Sequence, residues 1–177
     1  MLRMFFALQP MPAQSAALVE SVAPLVKELE GQPVPAANLH ATLCFIGAVA
    51  EEKLAVLKEA ASRVRGRAMA LDFDALDFWE KPEILCATAT ENNFARDLSA
   101  AISDVTLGAG FTPDVKPFRA HLTLARKVRR RIAEKLEWPR ALAPVRVHCE
   151  QFVLMQSRRD DAGSTYSVVD SWPLYEK

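Results

Sequence analysis

The pattern His-x-Thr-Leu occurs twice in this chain, at His40 to Leu43 and at His121 to Leu124, 81 residues apart. Given the Thr and Leu content, a given His would be followed by that pattern by chance about once in 200. The chain has only three histidines, and two carry it. In an extended strand successive side chains point to opposite faces. His40 and Thr42 therefore share one face, while Leu39, Ala41 and Leu43 take the other. The same alternation separates His121 and Thr123 from Ala120, Leu122 and Leu124. Each stretch predicts a strand that buries an apolar face and presents an imidazole beside a hydroxyl.

The flanks give each motif a similar setting: a long helix, a proline-containing loop, then the motif strand. Arg3 to Leu8 reads as a first strand. Ala13 to Leu29 has apolar residues at helical spacing, with Pro24 predicting a kink or a late start. Gly31 to Ala37 is a loop, Leu39 to Ile46 a strand ending at Gly47, and Glu51 to Val64 a second helix opening on two glutamates. Ala70 to Trp79 and Glu83 to Thr90 flank Lys81-Pro82 and predict a hairpin. Asn92 to Leu107 is a third helix capped by Asn92 or Asn93. Gly108 to Pro117 is a loop, Phe118 to Ala125 a strand, and Arg129 to Leu136 a short helix. Val145 to Gln156 reads as one long strand and Thr165 to Ser171 as the last. The expected fold is α+β: residues 1–177 form a single bilobal domain of two similar antiparallel-sheet-plus-helix lobes around a central cleft. The motif strands are expected side by side at its centre.

Composition narrows the function. Formal net charge is zero, so binding to nucleic acid would rest on a local patch. No apolar run approaches the roughly 18–20 residues needed to span a bilayer. The opening MLRMFFALQPMP is too short for a signal-peptide apolar region and reads as a cytoplasmic strand. Cys44, Cys86 and Cys149 are widely spaced within or beside apolar stretches and read as reduced, buried thiols. No two histidines or cysteines fall at metal-ligand spacing, so neither metal nor cofactor is expected.

Two imidazoles and two hydroxyls suit phosphodiester cleavage. One histidine accepts a proton from the attacking water and the other donates one to the leaving oxygen, since histidine titrates near neutrality. The hydroxyls of Thr42 and Thr123 can donate to the non-bridging oxygens, where charge builds up.

With these residues assembled, the chain resembles the two-histidine phosphoesterase superfamily, and within it the RNA 2',3'-cyclic phosphodiesterases, also called 2'-5' RNA ligase-like proteins. Arg3 to Leu8 resembles the family's opening strand, Asn38 to Gly47 the first motif with its flanks, and Phe118 to Arg126 the second. Ser157, Tyr166 and Trp172 to Leu174 fit the C-terminal pattern. The resemblance implies hydrolysis of a 2',3'-cyclic phosphate at an RNA or oligonucleotide end to a 2'-phosphate. It implies His40 as proton donor and His121 as proton acceptor, roles that the symmetric motifs cannot distinguish by themselves. A monomer is expected.

Other residues keep two readings. Arg126 is a candidate phosphate clamp or an exposed strand end. Only one of Phe5 and Phe6 can face the cleft. Phe5 is the candidate ring for stacking on a base, with burial as the alternative. The basic run from Arg126 to Arg131 is either a solvated helix start or a patch steering RNA. His148 has no Thr partner and is read as non-catalytic, and Phe45 and Trp79 are read as core. Rival functions are cleavage of a small cyclic nucleotide, reversible 2'-5' RNA ligation, and a non-catalytic RNA-binding module.

Overall fold

The alternating and helical patterns become nine strands and four α-helices among the residues that the computed structural model describes, 1–114, 116–160 and 163–176. The order is β1 (Leu2–Leu8), α1 (Pro12–Glu28), β2 (Gln32–Pro33), β3 (Ala41–Val49), α2 (Leu54–Ser62), β4 (Met69–Trp79) and β5 (Ile84–Ala89). There follow α3 (Asn93–Gly108), β6 (His121–Arg126), α4 (Arg130–Ala133), β7 (Arg140–Cys149), β8 (Gln151–Asp160) and β9 (Gly163–Pro173). All strand pairs are antiparallel, in one sheet of order β3-β1-β8-β9 and another of order β2-β6-β5-β4-β7.

Local chemistry explains most boundaries. The side chain of Asn92 caps α3, accepting from the Ala95 amide at 3.1 Å. In α1, Leu18, Val22 and Val26 are buried at helical spacing. The helix continues through Pro24, which lies on its exposed face, where the Glu20 carbonyl left without an amide donor can meet water. Gly47 does not end β3 as expected. It sits within the strand at φ 84°, a conformation that glycine adopts without strain.

Two expectations are corrected. The motif strands are not neighbours in one sheet. β3 is the edge of the first sheet, and β6 lies between β2 and β5 of the second. β3 pairs with β1, and β6 with β2 and β5, so the two motif strands meet across the cleft and not through a shared ladder. The single strand expected over Val145 to Gln156 is two, because the chain passes from the second sheet to the first at Glu150. Burial changes there from alternating, with Val147 and Cys149 inside, to continuous, with Phe152 to Met155 all inside.

The helices lock the sheets together. α1 precedes the first motif yet packs on β2, β6 and β7 of the second sheet, and α3 precedes the second motif yet packs on β3 of the first. Ser99 in α3 donates to the Leu43 carbonyl at 2.6 Å, and Ser103 to the Cys44 sulfur at 3.4 Å. Each half thus supplies the helix that covers the other half's motif, giving one α+β domain with two lobes. One continuous core runs through both sheets and includes Met4, Phe6, Leu43, Leu122, Leu124, Phe152 and Leu154. A smaller cluster of Phe5, Ala7, Val153 and Met155 lies on the first sheet's other face, with Phe45 and Tyr166 packed against it. Among the described residues, no helix is long and apolar enough to cross a membrane.

This arrangement gives β6 one buried face and one open face. Leu122 is 1% exposed. Leu122→Ala is expected to cost about 2–5 kcal/mol in urea unfolding. His121→Ala, on the neighbouring face, should cost less than about 1 kcal/mol. Equal losses would contradict the assignment of faces.

Candidate active site

Both motif histidines are oriented by the same local device. His40 Nδ1 lies 2.7 Å from the Asn38 carbonyl oxygen, and His121 Nδ1 lies 2.8 Å from that of Arg119. In each case the partner is two residues upstream. A carbonyl only accepts, so Nδ1 carries the hydrogen and donates it, leaving Nε2 as the bare atom of the neutral ring. Asn38 is itself tied down, its side-chain amide donating to the Ser164 carbonyl at 2.9 Å.

The rings are half-buried against aromatic walls of different make. His40 packs against Phe5 at 4.7 Å between centroids and against Tyr166, edge-on, at 4.8 Å. His121 packs against Trp79 at 4.4 Å. Burial is the largest cause of a lowered proton affinity at both. It outweighs the Asn38 carbonyl at His40, and the charges of Arg126 and His121 lower that ring further, to about 4 from the ordinary 6.5. His121 is also lowered, by burial first, against the pull of the Arg119 carbonyl and with the help of the Arg119 and Arg126 guanidiniums. Both imidazoles are therefore neutral near pH 7 in the protein alone.

Thr42 and Thr123 are half-buried on the same faces as their histidines. Thr123 pairs across the ladder with Cys86, a fully buried thiol that burial pushes up to about 12. Cys44, Cys86 and Cys149 are all free and buried. Arg126, at the end of β6, reaches across the cleft, where its Nη2 donates to the Tyr166 hydroxyl of β9 at 3.4 Å. Among the described residues, no group of three or more His, Cys, Asp and Glu is placed to hold a metal ion. Such a cleft offers two oriented Nε2 atoms, two hydroxyls and one guanidinium to an anionic phosphate.

Phe5 follows its burial reading and the basic run its solvated-helix reading, while Trp79 lies elsewhere than expected. Phe5 reaches the site, but at 3% exposure its ring is covered by His40 and Tyr166, so it walls the histidine and offers no open face to a base. Trp79 is not core but cleft, half-buried beside His121. The basic run after Arg126 is largely engaged: Arg129 and Arg131 pair with Glu30, and Arg130 with Glu80 and Glu134. His148 is exposed and lines a separate cavity of about 370 Å³ with Arg67 and Glu150. The residues missed in the sequence are Asn38 and Arg119 as carbonyl anchors. No residue type signalled them, because a backbone carbonyl is common to every residue and Asn38 and Arg119 are unlike.

The family model of the 2'-5' RNA ligase superfamily matches residues 11–161. A protein of Archaeoglobus fulgidus named RNA 2',3'-cyclic phosphodiesterase is 33% identical over 118 residues, spanning 63% of this chain and 66% of that protein. An Escherichia coli K12 protein of the same name is 24% identical over 148 residues, 81% of this chain and 80% of that one. The fold superimposes on the crystal structure of E. coli LigT complexed with 3'-AMP with a TM-score of 0.87 at 23% identity, covering 99% of each chain. With the family model matched over most of its length, the chain belongs to the 2'-5' RNA ligase superfamily.

Proposed function

We propose that the protein hydrolyses the 2',3'-cyclic phosphate at RNA ends to a 2'-phosphate without a metal ion. The observation that carries this reading is the pair of half-buried imidazoles whose Nδ1 atoms are both committed to backbone carbonyls, which leaves both Nε2 atoms for chemistry. The names of the A. fulgidus and E. coli relatives support the choice of substrate.

His121 Nε2 accepts a proton as water attacks phosphorus. The bond from phosphorus to the 3' oxygen breaks, and His40 Nε2 donates a proton to that oxygen. Each proton transfer is worth about 10²–10⁴-fold. The turnover leaves His121 charged and His40 neutral, and exchange with solvent restores the starting state. Thr42 and Thr123 donate to the non-bridging oxygens, and the Arg126 guanidinium holds the anion. The bound anion also supplies what the His40 ring lacks. Negative charge beside it raises its proton affinity, so the proton donor is loaded when substrate arrives.

The test is incubation of an oligonucleotide ending in a 2',3'-cyclic phosphate with the protein and excess EDTA, with the product end identified by phosphorus NMR. A 2'-phosphate formed at an unchanged rate is expected. A 3'-phosphate, or loss of activity restored by a divalent ion, would overturn the reading. Nucleoside 2',3'-cyclic phosphates run in parallel decide between an RNA end and a small nucleotide as the better substrate.

His40→Ala and His121→Ala should each remove most activity while leaving circular dichroism unchanged. The double variant should be little worse than either single one, because acid and base act as a unit. The direction of proton transfer is tested with a better leaving group at the 3' position. Such a group needs little protonation, so His40→Ala should regain much of the roughly 10²–10⁴-fold loss and His121→Ala should not. Rescue of His121→Ala alone would reverse the two roles.

A further inference from the structure

The two histidines have unlike surroundings, and the His121 side holds three residues that the chemistry above leaves unused. β4, β5 and β6 lie in ladder register, with Asp77 opposite Cys86 and Cys86 opposite Thr123. Asp77 therefore stands on the same face as Thr123 and His121. Trp79, two residues on from Asp77, shares that face. One carboxylate oxygen of Asp77 accepts two hydrogen bonds, from Trp79 Nε1 at 3.1 Å and from Arg119 Nη2 at 2.9 Å. The Arg119 guanidinium lies 5.3 Å from the centroid of the Trp79 ring. The indole lies 4.4 Å from the imidazole at an angle of 46°, and the Arg119 backbone carbonyl holds His121 Nδ1. Arg119 thus reaches His121 twice, directly through its carbonyl and indirectly through its side chain and Trp79.

We propose that Trp79, Arg119 and Asp77 form a brace of positioning residues that fixes the plane of the His121 imidazole and keeps water from it. The inference rests on the proposed role of His121 in proton transfer. The indole supplies a rigid apolar wall. Asp77 stops that wall from rotating and balances the Arg119 charge, which would otherwise stand alone beside the ring. Two-point fixing, at Nδ1 and on one ring face, leaves Nε2 aimed into the cleft. Loss of the wall lets water solvate the imidazolium, so the proton affinity of His121 rises. Loss of the Arg119 charge raises it as well. The other charged or titratable groups near the ring are Arg126 of its own strand, Cys86 of β5 and His40 across the cleft. The variants below leave all three in place.

The test is an NMR titration of the His121 ring in the free protein, with kcat and KM measured on a cyclic phosphate substrate, for Trp79→Ala, Trp79→Phe and Arg119→Gln. Trp79→Ala should raise the His121 midpoint towards its ordinary value and lower kcat by about tenfold to a hundredfold, with KM little changed. Trp79→Phe should restore most of both. Arg119 is exposed, so Arg119→Gln leaves the core untouched; it should raise the midpoint as well. An unmoved midpoint in both Trp79→Ala and Arg119→Gln would overturn the brace. So would an effect confined to KM, which would make Trp79 a surface for binding substrate. The titration needs no turnover, so failure of the proposed function and failure of the brace are separate results.

Discussion

Leu39, Ala41 and Leu43 from one half of the chain and Ala120, Leu122 and Leu124 from the other are all buried in a single core. Because strand side chains alternate, that burial decides where the polar residues between them go. His40 and Thr42, and His121 and Thr123, can only stand on the open faces. A one-residue slip in either strand would put an imidazole into the core and leucines into the cleft. The crossed helices make this burial cooperative. α1 covers the strand of the second motif and α3 the strand of the first, so neither motif is positioned unless both halves are folded.

The same burial sets the electrostatics. Half-buried imidazoles beside aromatic rings favour their neutral forms, and Arg126 adds to that preference at both. The cleft is therefore tuned to an anion: its guanidinium and neutral rings gain most when a phosphate arrives. We propose that His40, the ring lowered to about 4, is the proton donor. The productive form then carries its proton on a ring that burial makes weakly basic. Only a fraction of the free protein is so protonated, but its pH dependence still follows the singly protonated pair and not either residue.

The positions of the histidines and threonines were legible because a period of two is a local property of sequence. So were the hairpin at Lys81-Pro82 and the cap at Asn92, which depend on neighbours within a few residues. What was not legible depends on pairing at a distance. Nothing within His40 to Leu43 states that its strand will pair with β1 and not with the other motif strand. The break at Glu150 was hidden because apolar residues lie on both sides of it, Val145, Val147 and Cys149 before and Phe152 to Met155 after, and hydrophobicity does not say which sheet each side joins. Trp79 resembles a core residue by composition. Its place at the cleft follows from its register against β5 and from Asp77, two residues before it, whose carboxylate draws the indole nitrogen and Arg119 together. The arginines after Arg126 left two readings open, a solvated helix start or a patch steering RNA. Their partners Glu30 and Glu80 lie far away in sequence, and folding brings them into ion pairs.

Under the proposed function, two depressed imidazoles exchange protons with substrate from opposite sides of one cleft. The pH dependence of kcat/KM tests it most directly, since that ratio reports the free protein. The donor must be charged, so activity falls as pH rises. The acceptor must be neutral, so activity falls as pH drops. Both rings lie below the ordinary value of 6.5. The expected profile is therefore a bell with its optimum below 6.5. A profile flat from about pH 5 to 9, where an unperturbed imidazole changes charge, would contradict it. So would a bell centred above 7.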